Sequence, residues 1–188
     1  MYDRASGLEL TPEQFEIEVR NQLNATAGSL ISFSTQHREL VKGVGGEFEI
    51  DVTARFEALG ASFLVLIECK RYSSPVKRDV VLTLHTKLQA IGAQKGMIFT
   101  TSGFQKGAVE YATTHGIALV QLVDGKSTYQ TRSMCGNVEP PADAKIPPVV
   151  GWLLGKAEKG NLTLTQVSKE MSGGLSSFLF DPELMTNK

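Results

Sequence analysis

No apolar run in the 188 residues approaches the length a bilayer crossing requires. The first residues, Met-Tyr-Asp-Arg-Ala-Ser-Gly-Leu-Glu, lack the apolar core of a secretory signal. A cytoplasmic location with no membrane association is therefore expected. There are only two cysteines, Cys69 and Cys135, far apart in sequence, which argues for a reducing compartment and free thiols over a disulfide scaffold. With three histidines they offer no zinc-type spacing. Excess charge of either sign is also missing: 19 Lys+Arg against 20 Asp+Glu give a net charge of −1. No global basic field announces a nucleic-acid partner, so any such surface must be local. There is no internal repeat, no low-complexity tract and no helix-turn-helix or winged-helix pattern.

What is present centres on Glu47 to Lys70. The first half, Glu-Phe-Glu-Ile-Asp-Val-Thr-Ala-Arg-Phe, alternates as a half-buried strand does. Phe48, Ile50, Val52 and Ala54 are expected on one face, with Glu47, Glu49, Asp51, Thr53 and Arg55 on the other. After a turn around Leu59-Gly60-Ala61 comes Phe-Leu-Val-Leu-Ile-Glu-Cys-Lys, a buried-type strand until Glu68 and Lys70. Glu68 and Lys70 are two apart and leave the same face; Cys69 lies on the opposite face as a small core residue. If the strands pair as a hairpin, Asp51, Glu68 and Lys70 converge. Two carboxylates are hard oxygen ligands suited to Mg²⁺, which uses few protein ligands and keeps several waters. A lysine beside them can position an attacking water and offset charge on a phosphate.

The flanking chain supports an α/β domain. Thr11-Pro12-Glu13-Gln14 combines a cap, a proline at the first helical position and a capping-box partner. The helix should run to about Asn24, burying Phe15, Val19 and Leu23. Glu16 lies roughly 60° from the middle of that stripe, close enough to reach inward. A strand is expected over Leu30 to Gln36. A flexible loop, Lys42-Gly43-Val44-Gly45-Gly46, follows; it precedes a strand and lacks a Lys-Ser/Thr ending, so it is no phosphate loop. Pro75 starts a helix whose stripe is Val76, Val80, Leu84 and Leu88. Gly96 to Thr101 is a buried strand. Ser102 or Thr101 caps a helix from Phe104 to His115 and could hold a DNA phosphate. Ile117 to Leu122 is another buried strand, and Thr128 to Thr131 an edge strand. Alternating strands and helices here predict parallel pairing. The sequence divides into a catalytic domain over residues 1–134 and a proline-rich linker with a C-terminal appendage over residues 135–188.

This arrangement resembles the Mrr-type restriction endonucleases of the PD-(D/E)xK nuclease superfamily. The resemblance rests on Glu-Ile-Asp-Val, on Ile-Glu-Cys-Lys-Arg-Tyr followed by Pro-Val-Lys, and on Gly-Ala-Gln-Lys-Gly-Met-Ile-Phe-Thr-Thr-Ser-Gly-Phe-Gln-Lys-Gly-Ala. It covers Thr11 to Leu122. It implies a restriction-endonuclease-like core, a central mixed β-sheet flanked by helices in the order αβββαβαβ. It also implies Mg²⁺-dependent hydrolysis of phosphodiester bonds in double-stranded DNA, with Mn²⁺ as a substitute metal. By position, Asp51 and Glu68 match the family's metal ligands, Lys70 its catalytic lysine and Glu16 an acid of the first core helix. Ile50 stands where the superfamily name places a proline. Glu49 is a candidate auxiliary ligand, and Gln89, on the helix after Lys70, is given no role in the site. The local cations best placed for DNA are Arg71, Lys77 and Arg78, with Arg38 and Lys42 flanking the other side. A non-catalytic DNA-binding module and a junction-resolving or RNA-processing nuclease are the alternative readings. A homodimer and a separate DNA-reading partner both remain open.

Overall fold

The computed structural model describes residues 7–27, 30–125, 147–156 and 162–167. Helix α1 (Pro12–Thr26) opens on the expected capping box: Thr11 Oγ1 accepts from the Gln14 amide while the Gln14 side chain accepts from the Thr11 amide. Each bond satisfies an amide that the first turn cannot pair internally. Strands β1 (Ile31–Gly43), β2 (Gly46–Ala58) and β3 (Ala61–Lys70) follow as an antiparallel meander. Helix α2 (Arg78–Ile91), strand β4 (Lys95–Thr100), helix α3 (Lys106–Thr114) and strand β5 (Ile117–Asp124) form two parallel crossovers. Strands β6 (Val149–Lys156) and β7 (Leu162–Val167) return antiparallel, completing one sheet in the order β1-β2-β3-β4-β5-β6-β7.

The sheet separates two cores, and alternation along its central strands determines which core each side chain enters. On one face Phe15, Val19 and Leu23 of α1 pack against Val65, Ile67, Cys69, Met97 and Phe99. On the other, Val81, Leu84 and Leu88 of α2 and Ala108 and Ala112 of α3 pack against Leu66, Ile98 and Leu119. Glu68 continues the α2-facing row after Leu66, with Ile98 as its neighbour across the parallel pair. Cys69 is a buried residue of the opposite core, as its parity in the strand requires.

Several expectations are corrected. β1 is not a short strand followed by a flexible loop. Its alternation continues through Lys42, and Gly43 pairs with Gly46 around a tight turn. That turn docks on the end of α2, where the Val44 amide donates to the Ala90 carbonyl at 2.7 Å. A Cβ on Gly43 would lie 2.7 Å from the same carbonyl oxygen, so the close approach requires glycine. Val76 is not helical; it bridges Phe104, and α2 begins two residues later. Helix α3 is capped at Gln105 without a side-chain bond, so neither Ser102 nor Thr101 caps it. The face expected for Ile50 is also wrong. Ile50 packs with Leu66 and Leu84, whereas Val52 and Ala54 join the α1 core. The exchange of faces occurs at Asp51, opposite a distortion in β1, where Arg38 takes a positive φ of 50°.

The expected boundary at residues 134/135 and the expected edge strand at Thr128 to Thr131 lie outside the described residues. Beyond that gap, β6 continues the central sheet by pairing with β5. None of the described helices is long and apolar enough to cross a membrane.

Candidate active site

The site forms where β2 and β3 part. Their pairing runs from Ala58↔Ala61 to Val52↔Ile67 and stops there. Beyond that point Asp51 substitutes its side chain for the lost ladder bond, and Oδ2 accepts from the Cys69 amide at 2.7 Å. The carboxylate is thereby fixed beside the last turn of the β3 pleat, where Glu68 and Lys70 project. Lys70 Nζ donates to Glu68 Oε2 at 2.6 Å and approaches Asp51 Oδ2 at 3.5 Å. The three side chains expected to converge therefore do so, around one ammonium. Among the described residues Asp51 Oδ1 has no hydrogen-bond partner.

Burial and charge tune the three groups differently. Burial, with the charge of Glu68 added, raises the Asp51 carboxyl above its ordinary value, against the Cys69 amide and Lys70. Glu68 is more enclosed. Burial alone would push it up, but Lys70 and a second lysine outweigh that and hold it below the usual carboxylate range. Burial opposes the Lys70 ammonium; Glu68 first and then Asp51 overcome it and raise the lysine above its ordinary value. Lys70 is thus a firmly held cation at neutral pH.

The second lysine is Lys87 of α2, which sequence reasoning missed. Its Nζ pairs with Glu68 Oε1 and donates to the Glu49 carbonyl at 3.2 Å. The available signal was its place one turn after Leu84, on the border of the buried stripe, where a long side chain can run along the helix toward the sheet. Two nearby residues behave differently. Among the described residues Glu49 gives this backbone oxygen to Lys87 while its own side chain is exposed, and Gln89 is exposed.

Glu16 turns inward, with a side-chain exposure of 12%. Its Oε2 is engaged by His37 Nε2 at 2.7 Å and Arg38 Nε at 3.0 Å, and it makes no direct bond to Asp51, Glu68 or Lys70. It is near enough for its charge to contribute to the upward shift of Asp51. Among the described residues no group of three or more His, Cys, Asp or Glu could hold a metal ion. A cation here would rely on Asp51 and Glu68 with backbone and water oxygens completing its shell. That sparse all-oxygen set suits Mg²⁺ or Mn²⁺ rather than zinc.

Arg71, Lys77 and Arg78 are all exposed. Lys77 occupies the N-cap of α2, and the Arg78 guanidinium lies 5.0 Å from the Tyr111 ring centroid, a cation–π contact that orients it. The segment carrying Arg71 and Lys77 is tied down by the turn after β4. Thr100 Oγ1 donates to the Lys70 carbonyl at 2.8 Å, Thr101 Oγ1 to that of Tyr72 at 3.1 Å, and Ser102 Oγ to that of Ser74 at 2.8 Å. Thr101 and Ser102 are buried, so the expectation that they hold a DNA phosphate is corrected: their hydroxyls are used to fix the neighbouring loop.

A family model of the Mrr catalytic domain, described as restriction endonuclease, matches residues 8–128. That match defines the class, the restriction-endonuclease domains of the PD-(D/E)xK type. Within the class, the chain belongs to the Mrr-type restriction endonuclease family. A solved structure of a protein of unknown function, AF1548, is 28% identical over 57% of this chain and 55% of its own length, with a TM-score of 0.46. This chain thus spans little more than half of that protein. No curated protein matches.

Proposed function

We propose that this nuclease is a divalent-metal-dependent endonuclease that hydrolyses phosphodiester bonds of double-stranded DNA, in restriction or a related DNA-processing role. The observation that carries the reading is the pair of carboxylates, Asp51 and Glu68, gathered around the Lys70 ammonium at the fork of β2 and β3. In this reading Asp51 and Glu68 hold Mg²⁺, or Mn²⁺ in its place. A cation bound there supplies Lewis-acid charge to the phosphate and to the attacking water. Asp51 presents its free oxygen from a position set by the Cys69 amide. Lys70 orients the water and offsets charge that develops on the phosphate during attack. Glu16 holds His37 and Arg38 beside Asp51 and shapes the field there without touching the reacting atoms. Arg71, Lys77 and Arg78 bind backbone phosphates on the flank, since a chain of net charge −1 must recruit a polyanion with local cations.

Incubation with supercoiled plasmid and Mg²⁺ or Mn²⁺ tests the reading. Nicking or linearisation that chelator abolishes, and that Asp51→Asn, Glu68→Gln and Lys70→Met each lose, is expected. Cleavage that persists in chelator, or in Asp51→Asn at the wild-type rate, rules out the assignment.

A further inference from the structure

We propose that Lys87 is a positioning residue that competes with the divalent cation for Glu68 and thereby sets how tightly the site takes metal. This rests on the reading of Asp51 and Glu68 as metal ligands. Both oxygens of Glu68 are engaged by ammonium groups, Oε2 by Lys70 and Oε1 by Lys87. Lys70 comes from the same strand, two residues along. Lys87 comes from α2, and its Nζ is held from a second side by the Glu49 carbonyl, two residues before Asp51. One ammonium therefore joins β2, β3 and α2 at the ligand pair.

The consequence follows from charge and from lone pairs. Asp51 and Glu68 carry two negative charges, and Lys70 and Lys87 carry two positive ones, so the four side chains balance. A carboxylate pair balanced in this way attracts a divalent cation less than a pair facing one lysine. An ammonium donating to Oε1 also uses the oxygen lone pairs that a cation would take, and the two cations repel across a few ångströms. Glu68 is 8% exposed, so water screens this competition poorly. Lys87 itself is 21% exposed at its side chain, enough for Nζ to withdraw toward solvent when displaced.

The test is isothermal calorimetry of Mn²⁺ binding without DNA, on the full chain, for the wild type, Lys87→Met, Lys87→Gln, Lys87→Arg and Asp51→Asn. Removing one unit charge a few ångströms away is expected to tighten Mn²⁺ binding by roughly tenfold in Lys87→Met. Lys87→Gln keeps a donor without charge and should shift the same way, which covers a methionine variant that folds poorly. Lys87→Arg keeps the cation and should stay within about twofold of the wild type on the same reasoning. A Lys87 that serves only to pin α2 to the sheet would change stability and leave affinity alone. Affinity unchanged or weakened in both neutral variants, with Asp51→Asn losing the metal, overturns the role of Lys87 alone. Wild type and Asp51→Asn behaving alike overturns the ligand reading beneath it.

Discussion

Asp51 and Glu68 both approach the Lys70 ammonium and carry the same charge, yet their removal should affect folding very unequally. The reason is the unequal distribution of cations. Glu68 makes two ion pairs and is 8% exposed, while Lys70 and Lys87 are 22% and 21% exposed at their side chains. Removing one partner of a fully buried pair costs roughly 3–5 kcal/mol. Here the lysines can partly rehydrate, so Glu68→Gln should cost about 2 kcal/mol at pH 7 in chelator. Asp51→Asn retains an oxygen for the Cys69 amide and loses a 3.5 Å contact together with a repulsion from Glu68. Its stability should lie within about 0.5 kcal/mol of the wild type, or above it. Urea titration followed by the fluorescence of Trp152, the only tryptophan, reads both. With a typical slope, Glu68→Gln lowers the midpoint by about 1 M. The pH dependence adds a sign. Glu68 is held below its unfolded value of 4.5, so its contribution is complete above that pH and is lost as pH falls through the lower folded value. The gap between wild type and Glu68→Gln should therefore close in acid. Asp51 is raised above 3.8, so its ionisation disfavours the fold at neutral pH, and that penalty is relieved as pH falls through the folded value. A Glu68→Gln midpoint equal to that of the wild type, or an Asp51→Asn protein less stable than Glu68→Gln, would refute the reasoning.

Three other outcomes are expected. Leu59 has a positive φ of 52° beside Gly60 at 76°, in a two-residue hairpin turn, and its side chain is fully exposed. Leu59→Asn should raise stability by about 0.5–1 kcal/mol in the same urea assay, because asparagine tolerates that backbone region and leucine does not. Ser102→Ala removes the donor to the Ser74 carbonyl and should cost about 1 kcal/mol. It should also speed hydrogen exchange at the Val76 amide, which is bonded to Gly103 across the same clasp, while Mn²⁺ affinity stays unchanged. Lys77→Ala combined with Arg78→Ala should weaken DNA binding and reduce the slope of log affinity against log salt by about two, measured by fluorescence anisotropy. An unchanged slope would move the DNA path away from the start of α2.

Much of this protein could be read along the chain because local rules decide it. The capping box at Thr11 and Gln14, the buried stripe Phe15-Val19-Leu23 and the parity that separates Cys69 from Glu68 and Lys70 each depend on a few neighbouring residues. The convergence of Asp51, Glu68 and Lys70 was accessible for a related reason: a hairpin with a short turn leaves little freedom in its register. What tertiary structure decided are features in which two distant segments meet. The face of Ile50 depends on the distortion at Arg38 in the partner strand, and strict alternation could not anticipate it. The hydroxyls of Thr101 and Ser102 look the same in sequence whether they cap a helix, hold a phosphate or clasp a loop; only packing against Tyr72 and Ser74 selects the last. Lys87 reads as one more surface lysine of an amphipathic helix until α2 is laid over the sheet. Its long side chain then reaches Glu68, because the crossover from β3 through α2 to β4 carries it back across the acidic end of β3.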